Sequence, residues 1–275
     1  MKKHLKFSRI IVFLLLSILA ATTLLPILYM IMATFLSKDE YMLNMFALPK
    51  ALNFQNYKVV LEAFHFVRMT FNSLFVSVIT VSASLLVTSL AAYSINKLTW
   101  KGKKPVMGLI TVGMFMPGQV LIIPVYQILI GLNLVNNSFG LIIFYVATSI
   151  PFTTMMMIAN IKGIPNQILE SATIDGAGSF KIYLNVILPL LKPTLVTAAI
   201  INFISYWNEL LYAMIILQDE RIRTITVSIV SLTNKFGSNM PLLYAGLLLS
   251  AIPVIILYLI AQKQIIKGVS SGSLK

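Results

Sequence analysis

The chain has 275 residues, 58% of them hydrophobic and only 11% charged; that is about half the charged share of an average soluble domain and excludes an ordinary water-soluble globule. Cysteine is absent and the two histidines, His4 and His65, are few and far apart, which excludes disulfides, thiolate metal sites and a zinc constellation and leaves the redox compartment unread. The net charge of +13 does not indicate a nucleic-acid partner, because such a protein gathers its cations on a soluble face whereas here they fall between apolar stretches.

A bilayer core of about 30 Å is crossed by about 20 apolar helical residues. Six segments reach that length: Ile10 to Phe35, Thr70 to Ile95, Val106 to Ile130, Ser138 to Ile161, Leu190 to Leu217 and Leu242 to Ala261. The fold class expected is therefore an all-α integral membrane protein of six transmembrane helices, with residues 1–275 forming one membrane domain. The first segment follows Lys2, Lys3 and Lys6 as a signal peptide does, but its apolar run continues to Phe35, too long for the core of a cleaved signal, and it reads as a retained span. The outer loop after it contains "NFQNYKVVLEAFHF", which reads either as an amphipathic helix lying on the bilayer with Asn53 as N-cap, or as a plain connecting loop. Between spans three and four, "GLNLVNN" reads as a tight turn.

Lysines and arginines set the orientation. With the N-terminus inside, the inner segments hold fourteen of them, Lys97, Lys101, Lys103, Lys104, Lys162, Lys181 and Lys192 among these, and the outer segments seven. Both termini are expected in the cytoplasm. Pro26, Pro117, Pro124, Pro151, Pro193 and Pro253 fall inside spans, where each removes a backbone donor and bends or breaks the helix. Packing around a central passage and plain bundle shape account for them equally well.

Residues 162–189, between spans four and five, form a polar island expected on the cytoplasmic side. Pro165 suits a first helical turn, and Ile164, Ile168 and Ala172 recur as a short apolar stripe. Asp175-Gly176 stops this helix, since glycine takes the left-handed conformation without a Cβ clash. Ser179 is placed to cap a second helix with Phe180, Tyr183, Leu184, Ile187 and Leu188 on one face, ended by Pro189. Helix, sharp turn and helix result.

The stretch "ESATIDGAGSFKIYLNVILP" closely resembles the EAA loop of ATP-binding-cassette importer permeases, in which Glu-Ala-Ala, Gly, Ile and Leu-Pro recur at fixed spacing. Glu170, Ser171, Ala172, Gly176, Val186, Leu188 and Pro189 occupy the corresponding positions, with Ser171 for Ala and Val186 for Ile as the departures. "FNSLFVSVIT", "AAYSINKL", "PVYQILIGLNLVNN" and "WNELL" are similar to segments of the carbohydrate-uptake, maltose-type branch, and the tail "GVSSGSLK" matches more loosely; Leu210 stands where many relatives carry Phe. The resemblance implies that Glu170, Ser171, Ala172, Asp175, Gly176 and Ala177 form a coupling helix that docks on a cytoplasmic ATPase. Glu170 would pair with a basic residue there, Ala172 would keep the surface low, and Asp175 would satisfy backbone donors at the turn. The chain has no Gly-x-x-x-x-Gly-Lys-Ser/Thr loop, so no cofactor is expected on it and ATP would be bound by partner ATPase subunits. The partners implied are a second homologous permease, two ATPase subunits, an extracytoplasmic solute-binding protein and the lipid bilayer of a bacterial cytoplasmic membrane.

In span five, Asn202, Ser205, Tyr206 and Glu209 follow i, i+3, i+4 and i+7 and so share one helix face, with Trp207 and Asn208 to its sides. Glu209 is the one acid inside a span, where a charge at mid-bilayer costs about 2.5–3.5 kcal/mol on insertion scales and usually faces the bundle interior. Two readings of the face stand: a sugar-contacting wall, and a hydrogen-bond cluster that holds the span in place. The function expected is sugar import driven by ATP. Its rivals are an importer of the same class for another solute and an ion-coupled secondary transporter, the latter poorly served by a single intramembrane acid. No paired carboxylates or nucleophile–base set suggests an enzyme.

Overall fold

The computed structural model describes residues 2–63, 65–237 and 239–272, with side chains outside 2–8, 63, 232–236 and 263–272. The last three residues of the "GVSSGSLK" tail lie outside the described residues. All regular structure among the described residues is helical. In chain order the helices are α1 (Lys2–Ala33), α2 (Lys38–Leu43), α3 (Gln55–Ala63), α4 (Phe66–Lys97), α5 (Lys103–Gly113), α6 (Ile122–Gly131), α7 (Ser138–Ile161), α8 (Asn166–Ile174), α9 (Ser179–Ile182), α10 (Leu188–Leu190), α11 (Lys192–Trp207), α12 (Leu211–Ile216), α13 (Ile225–Phe236) and α14 (Met240–Gly272). A 3-10 turn, Gly118–Leu121, precedes α6, and a π-turn, Tyr183–Ile187, joins α9 to α10.

Among the described residues four helices are long and apolar enough to cross a membrane alone, at Arg9–Ala33, Phe66–Lys97, Ser138–Ile161 and Met240–Gln262. Two helix pairs reach that length and hydropathy only when taken together, Lys103–Gly113 with Gly118–Gly131 bent by 103° and Ser179–Leu190 with Lys192–Trp207 bent by 73°, which gives up to six spans by length and composition. Three of the six prolines expected inside spans lie at the breaks, whereas Pro26, Pro151 and Pro253 sit inside helices that continue through them. Pro117 and Pro124 stand just ahead of and within the first turn of the second half of one pair, and Pro193 in the first turn of α11, positions where the missing N–H would have had no partner anyway. Pro193 therefore opens a helix and does not interrupt one.

Packing divides the chain into two compact units, Met1–Val67 with Ser228–Ala251, and Arg68–Val227 with Ile252–Lys275. In the first unit α1 keeps apolar side chains exposed along most of its length, as suits lipid. Its C-terminal carbonyls are claimed by the buried Asn56, whose amide donates to Thr34 O and Leu36 O at 2.8 and 2.9 Å, the kind of partner an orphaned helix end requires. The segment "NFQNYKVVLEA" does form a helix, α3, with the Asn53 side chain accepting the Gln55 amide at 2.9 Å. One face carries Asn56 and Val60 against the end of α1, while Lys58, Leu61 and Glu62 stay exposed. Ser37 and Glu40 close a capping box on α2, and the Ser37 amide and hydroxyl hold the Glu40 carboxyl below its usual range.

The second unit is built on α4, α7 and α11. The buried side of α4 is a ladder of small hydroxyl residues, Ser73, Ser77, Thr80, Ser84 and Thr88, which lets helices approach closely where lipid offers no hydrophobic incentive to associate. Hydrogen bonds tie the ladder across the unit: Ser84 to Ser149 on α7, Ser73 to the Ile225 amide and Ser89 to Tyr183. The Asn136 amide donates to Ile216 O, and Asn137 caps α7 through the Phe139 amide, so "GLNLVNN" is held by its asparagines. Asn133 and Asn136 take positive φ there, which asparagine tolerates better than most residues.

Gly140 shows how tightly this turn closes on α7. A Cβ there would meet Leu134 O at 2.2 Å, whereas one at Gly131 would meet nothing within 4 Å. Gly140→Ala is expected to cost about 1–3 kcal/mol, the range for overpacking. Thermal unfolding of the detergent-purified chain should show a lowered midpoint for Gly140→Ala and an unchanged one for Gly131→Ala.

Candidate functional site

Two places in the second unit gather polar side chains in an otherwise apolar chain. The first is the elbow α8–α9. Pro165 precedes α8, and Asp175 ends it. Gly176 has φ of +78° and is open, with no atom within 4 Å of a Cβ placed on it. The amide of Gly176 donates to Thr173 O and that of Ala177 to Ala172 O, a glycine-closed helix end. Among the described residues the Asp175 carboxylate makes no hydrogen bond and the bend is closed by its backbone, which corrects the turn role expected for it. Glu170, Ser171, Asp175 and Gly176 are exposed, and Ala172 and Ala177 half-buried.

The apolar faces of the elbow differ from those the residue spacing predicts. Ile164, Leu169 and Ala172 pack on the core, but Ile168 is exposed. On the second arm Ile182, Tyr183 and Ile187 are buried, while Phe180 and Leu184 face outward. The π-turn at Tyr183–Ile187 is the reason: a wider turn rotates one part of the arm against the other, so a 3.6-residue wheel assigns the wrong sides. Ser179 does not cap this arm. Gly178 is its N-cap without a side-chain bond, and the arm runs past Pro189 to Leu190.

Both arms are fastened to α4. The Lys97 ammonium donates to Ile164 O at 2.8 Å and to Asn166 Oδ1 at 2.7 Å, both at the start of α8. The Tyr93 hydroxyl donates to Ser179 O at 3.1 Å, at the start of α9, and Ser89 Oγ and Tyr183 Oη share a hydrogen bond of 2.8 Å. In the sequence Lys97 and Tyr93 stand out only as part of "AAYSINKL", through its family resemblance. No periodicity marks them as partners of a loop some 70 residues away.

The second place is a cavity of about 390 Å³ lined by Tyr145, Ser149 and Thr153 of α7, Asn202, Ser205 and Tyr206 of α11, and also by Gly118, Glu209 and Tyr212. Glu209 is not on α11, which ends at Trp207; it stands in the break before α12. Its placement at i+7 of a continuous helix is thereby corrected, yet it still reaches the cavity with Asn202, Ser205 and Tyr206. One carboxylate oxygen accepts the Tyr145 hydroxyl at 2.6 Å and the Ala213 amide at 3.0 Å, the other the Tyr212 amide at 2.9 Å. Asn202 donates to Thr153 Oγ1 at 3.2 Å, and Tyr145 and Tyr206 stack at 5.0 Å between ring centres. Asn208 bonds Ile204 O and stays out of the cavity wall, and Trp207 is buried. The Tyr212 hydroxyl donates to Gly118 O, so the break at 114–117 in one bent pair and the gap at 208–210 between α11 and α12 meet at one cavity. Among the described residues no cluster of His, Cys, Asp and Glu is suited to a metal ion.

Residues 84–271, which include the elbow and the whole cavity wall, match the family described as the binding-protein-dependent transport system inner membrane component. The chain belongs to that family. It is 32% identical over 253 residues to a protein named a probable ABC transporter permease protein, YurM, of Bacillus subtilis, covering 91% of this chain and 83% of that one. It is also 29% identical to the melibiose/raffinose/stachyose import permease protein MelC of the same organism, covering 96% of each. Among solved structures, a chain of a bacterial ABC transporter involved in import of the acidic polysaccharide alginate is similar with a TM-score of 0.81 at 27% identity, over 94% of this chain and 96% of that chain. The protein is accordingly a membrane-embedded permease component of a binding-protein-dependent transporter, a transport subunit and not an enzyme. In this permease the departures from regular helix are concentrated at the elbow and at the cavity.

Glu209 connects the cavity to the stability of the permease. Replacing it with Gln leaves the shape but, whichever way the amide turns, puts an NH2 where at least one donor now points, and an unsatisfied buried donor costs about 1–3 kcal/mol. Glu209→Gln should therefore lower the thermal midpoint of the purified permease, whereas Asn208→Ala, outside the wall, should leave it near that of the parent.

Proposed function

We propose that this chain is one of two permease subunits of an ATP-driven importer for an oligosaccharide, with both termini and the elbow in the cytoplasm. The observation that carries the reading is the elbow itself: a glycine-closed bend with Glu170, Ser171, Asp175 and Gly176 exposed and Ile174 left 86% exposed. A large aliphatic side chain held out at the tip of a polar loop suits a protein partner better than water. That partner would be one of two ATPase subunits, and ATP would be held there and not on this chain. Closure of the ATPase pair would press on the elbows and rock the helices between inward-open and outward-open arrangements, a rigid-body switch. Fourteen lysines and arginines on the proposed inner side against seven outside support the orientation.

The cavity suits a carbohydrate chemically. Hydroxyl and amide groups of Ser205, Asn202 and Ser149 stand beside the stacked rings of Tyr145 and Tyr206, the combination of hydrogen-bonding groups and aromatic faces that a sugar engages. The names of similar proteins point the same way, since the permeases for melibiose, raffinose and stachyose and for arabinooligosaccharides are among them. Solute would arrive on an extracytoplasmic binding protein at the opposite end from the elbow. The Glu209 carboxylate accepts three hydrogen bonds from the protein itself, which favours a wall-building role over direct sugar contact and over ion coupling.

The test is uptake by the assembled transporter in proteoliposomes, driven by ATP or by an ion gradient; uptake that tracks the gradient and ignores ATP would refute the reading. Gly176→Val should abolish uptake and weaken ATPase association while membrane insertion persists. At φ of +78° a β-branched residue is strained by about 1–2 kcal/mol or more, and its bulk occupies the open tip. Gly176→Asn, which tolerates this conformation, should keep more uptake than Gly176→Val.

A further inference from the structure

Residues 164–183 are held at three points, and all three lie on the last three turns of α4. Ile164 and Asn166 take the Lys97 ammonium, Ser179 takes the Tyr93 hydroxyl, and Tyr183 shares a hydrogen bond with Ser89. These points bracket the Asp175-Gly176 bend, one pair on the arm before it and one on the arm after it. The Tyr93 and Tyr183 rings also pack at 5.7 Å, over a core of Ala92, Ile95, Ile161, Ile182 and Ile187. The tip makes no such bond: Glu170, Ile174 and Asp175 are exposed and only the backbone closes the turn. A loop built this way has stiff arms and a free tip.

We propose that Lys97, assisted by Tyr93, is a positioning residue that clamps both arms of the elbow to α4, so that the elbow and the α4 end move as one body when the tip is pushed. The inference rests on the proposed docking of the tip on an ATPase subunit. Lys97 suits the task because one ammonium reaches two acceptors at once, a carbonyl next to Pro165 and an amide oxygen on the first residue of α8. Charge-assisted bonds of this kind are about twice as strong as neutral ones. As a residue in the last turn of α4 the cation is also favoured by the helix dipole. Without it the start of α8 would be held to α4 by apolar contact alone, which does not fix direction. Force on the tip would then bend the elbow and leave the helices behind it unmoved.

The chain has no cysteine, so paired nitroxides on Gln167→Cys of α8 and Leu86→Cys of α4, both exposed positions outside the proposed docking tip, report the separation of elbow and α4 without background. The measurement is made on the full transporter in lipid nanodiscs, with and without ATP and vanadate. With Lys97 present, one narrow distance that nucleotide does not change is expected. With Lys97→Met the ATPase subunits should still associate and hydrolyse ATP, but the distance should broaden and shift on nucleotide binding, and Lys97→Arg should restore the narrow distribution. Tyr93→Phe, which keeps the ring and removes the hydroxyl, should broaden it as well and carries the test if Lys97→Met fails to insert. An unchanged narrow distance in Lys97→Met within an assembled, hydrolysing complex overturns the clamp alone. Failure of the unsubstituted chain to bind any ATPase subunit overturns the proposed importer function and the clamp with it.

Discussion

In a bilayer core every backbone N–H and C=O must find a partner within the protein, since no water is present to accept the remainder. That requirement governs where this permease is regular and where it is not. Four candidate spans are single helices; the bent pairs are interrupted at 114–117 and at Leu191, and α11 is parted from α12 at 208–210, all within the second unit, where side chains meet what the helices leave open. Glu209 accepts the amides of Tyr212 and Ala213 at the start of α12, and the Tyr212 hydroxyl covers Gly118 O beside the other break. The cavity lies where these two interruptions, at 114–117 and 208–210, come together.

The same accounting explains why so many buried polar groups are small hydroxyls and amides and so few are charged. Ser84, Thr153 and Asn202 bond to one another across α4, α7 and α11, and Ser89 bonds Tyr183. Each interaction is modest, about 0.6 kcal/mol on average between membrane helices. Their value is directional: apolar contacts in lipid leave register loose, and a hydrogen bond between two particular side chains does not.

Much of the architecture is legible in the sequence because it rests on local chemistry. Apolar length marks the spans, three of the prolines mark the neighbourhoods of the breaks, and Asp175-Gly176 marks the bend, since only glycine takes φ of +78° cheaply. What the sequence hides depends on rotation or on distance along the chain. A helical wheel puts Phe180 and Leu184 inward, and the π-turn turns them out; the wheel also carries Glu209 onto α11, when the helix has already ended at Trp207. Lys97 looks like any cation at a membrane boundary until its acceptors, some 70 residues on, are seen beside it. The charge count behind the proposed orientation gives no hint that one lysine of the set is bonded to the elbow.

Under the proposed docking, the elbow separates two tasks that a single rigid surface would confound. Adhesion to a soluble partner calls for exposed area, and an exposed Ile174 on a polar tip supplies it without help from the membrane-embedded part. Transmission calls for stiffness, and the bonds from Lys97, Tyr93 and Ser89 lie behind the tip, outside any surface a partner would cover. In the proposed complex a partner would then bind and release at the tip without breaking the bonds proposed to carry the motion inward. The glycine at the bend serves both sides of this division: it brings the arms close enough to reach one helix, and with no side chain it leaves the tip open for whatever docks there.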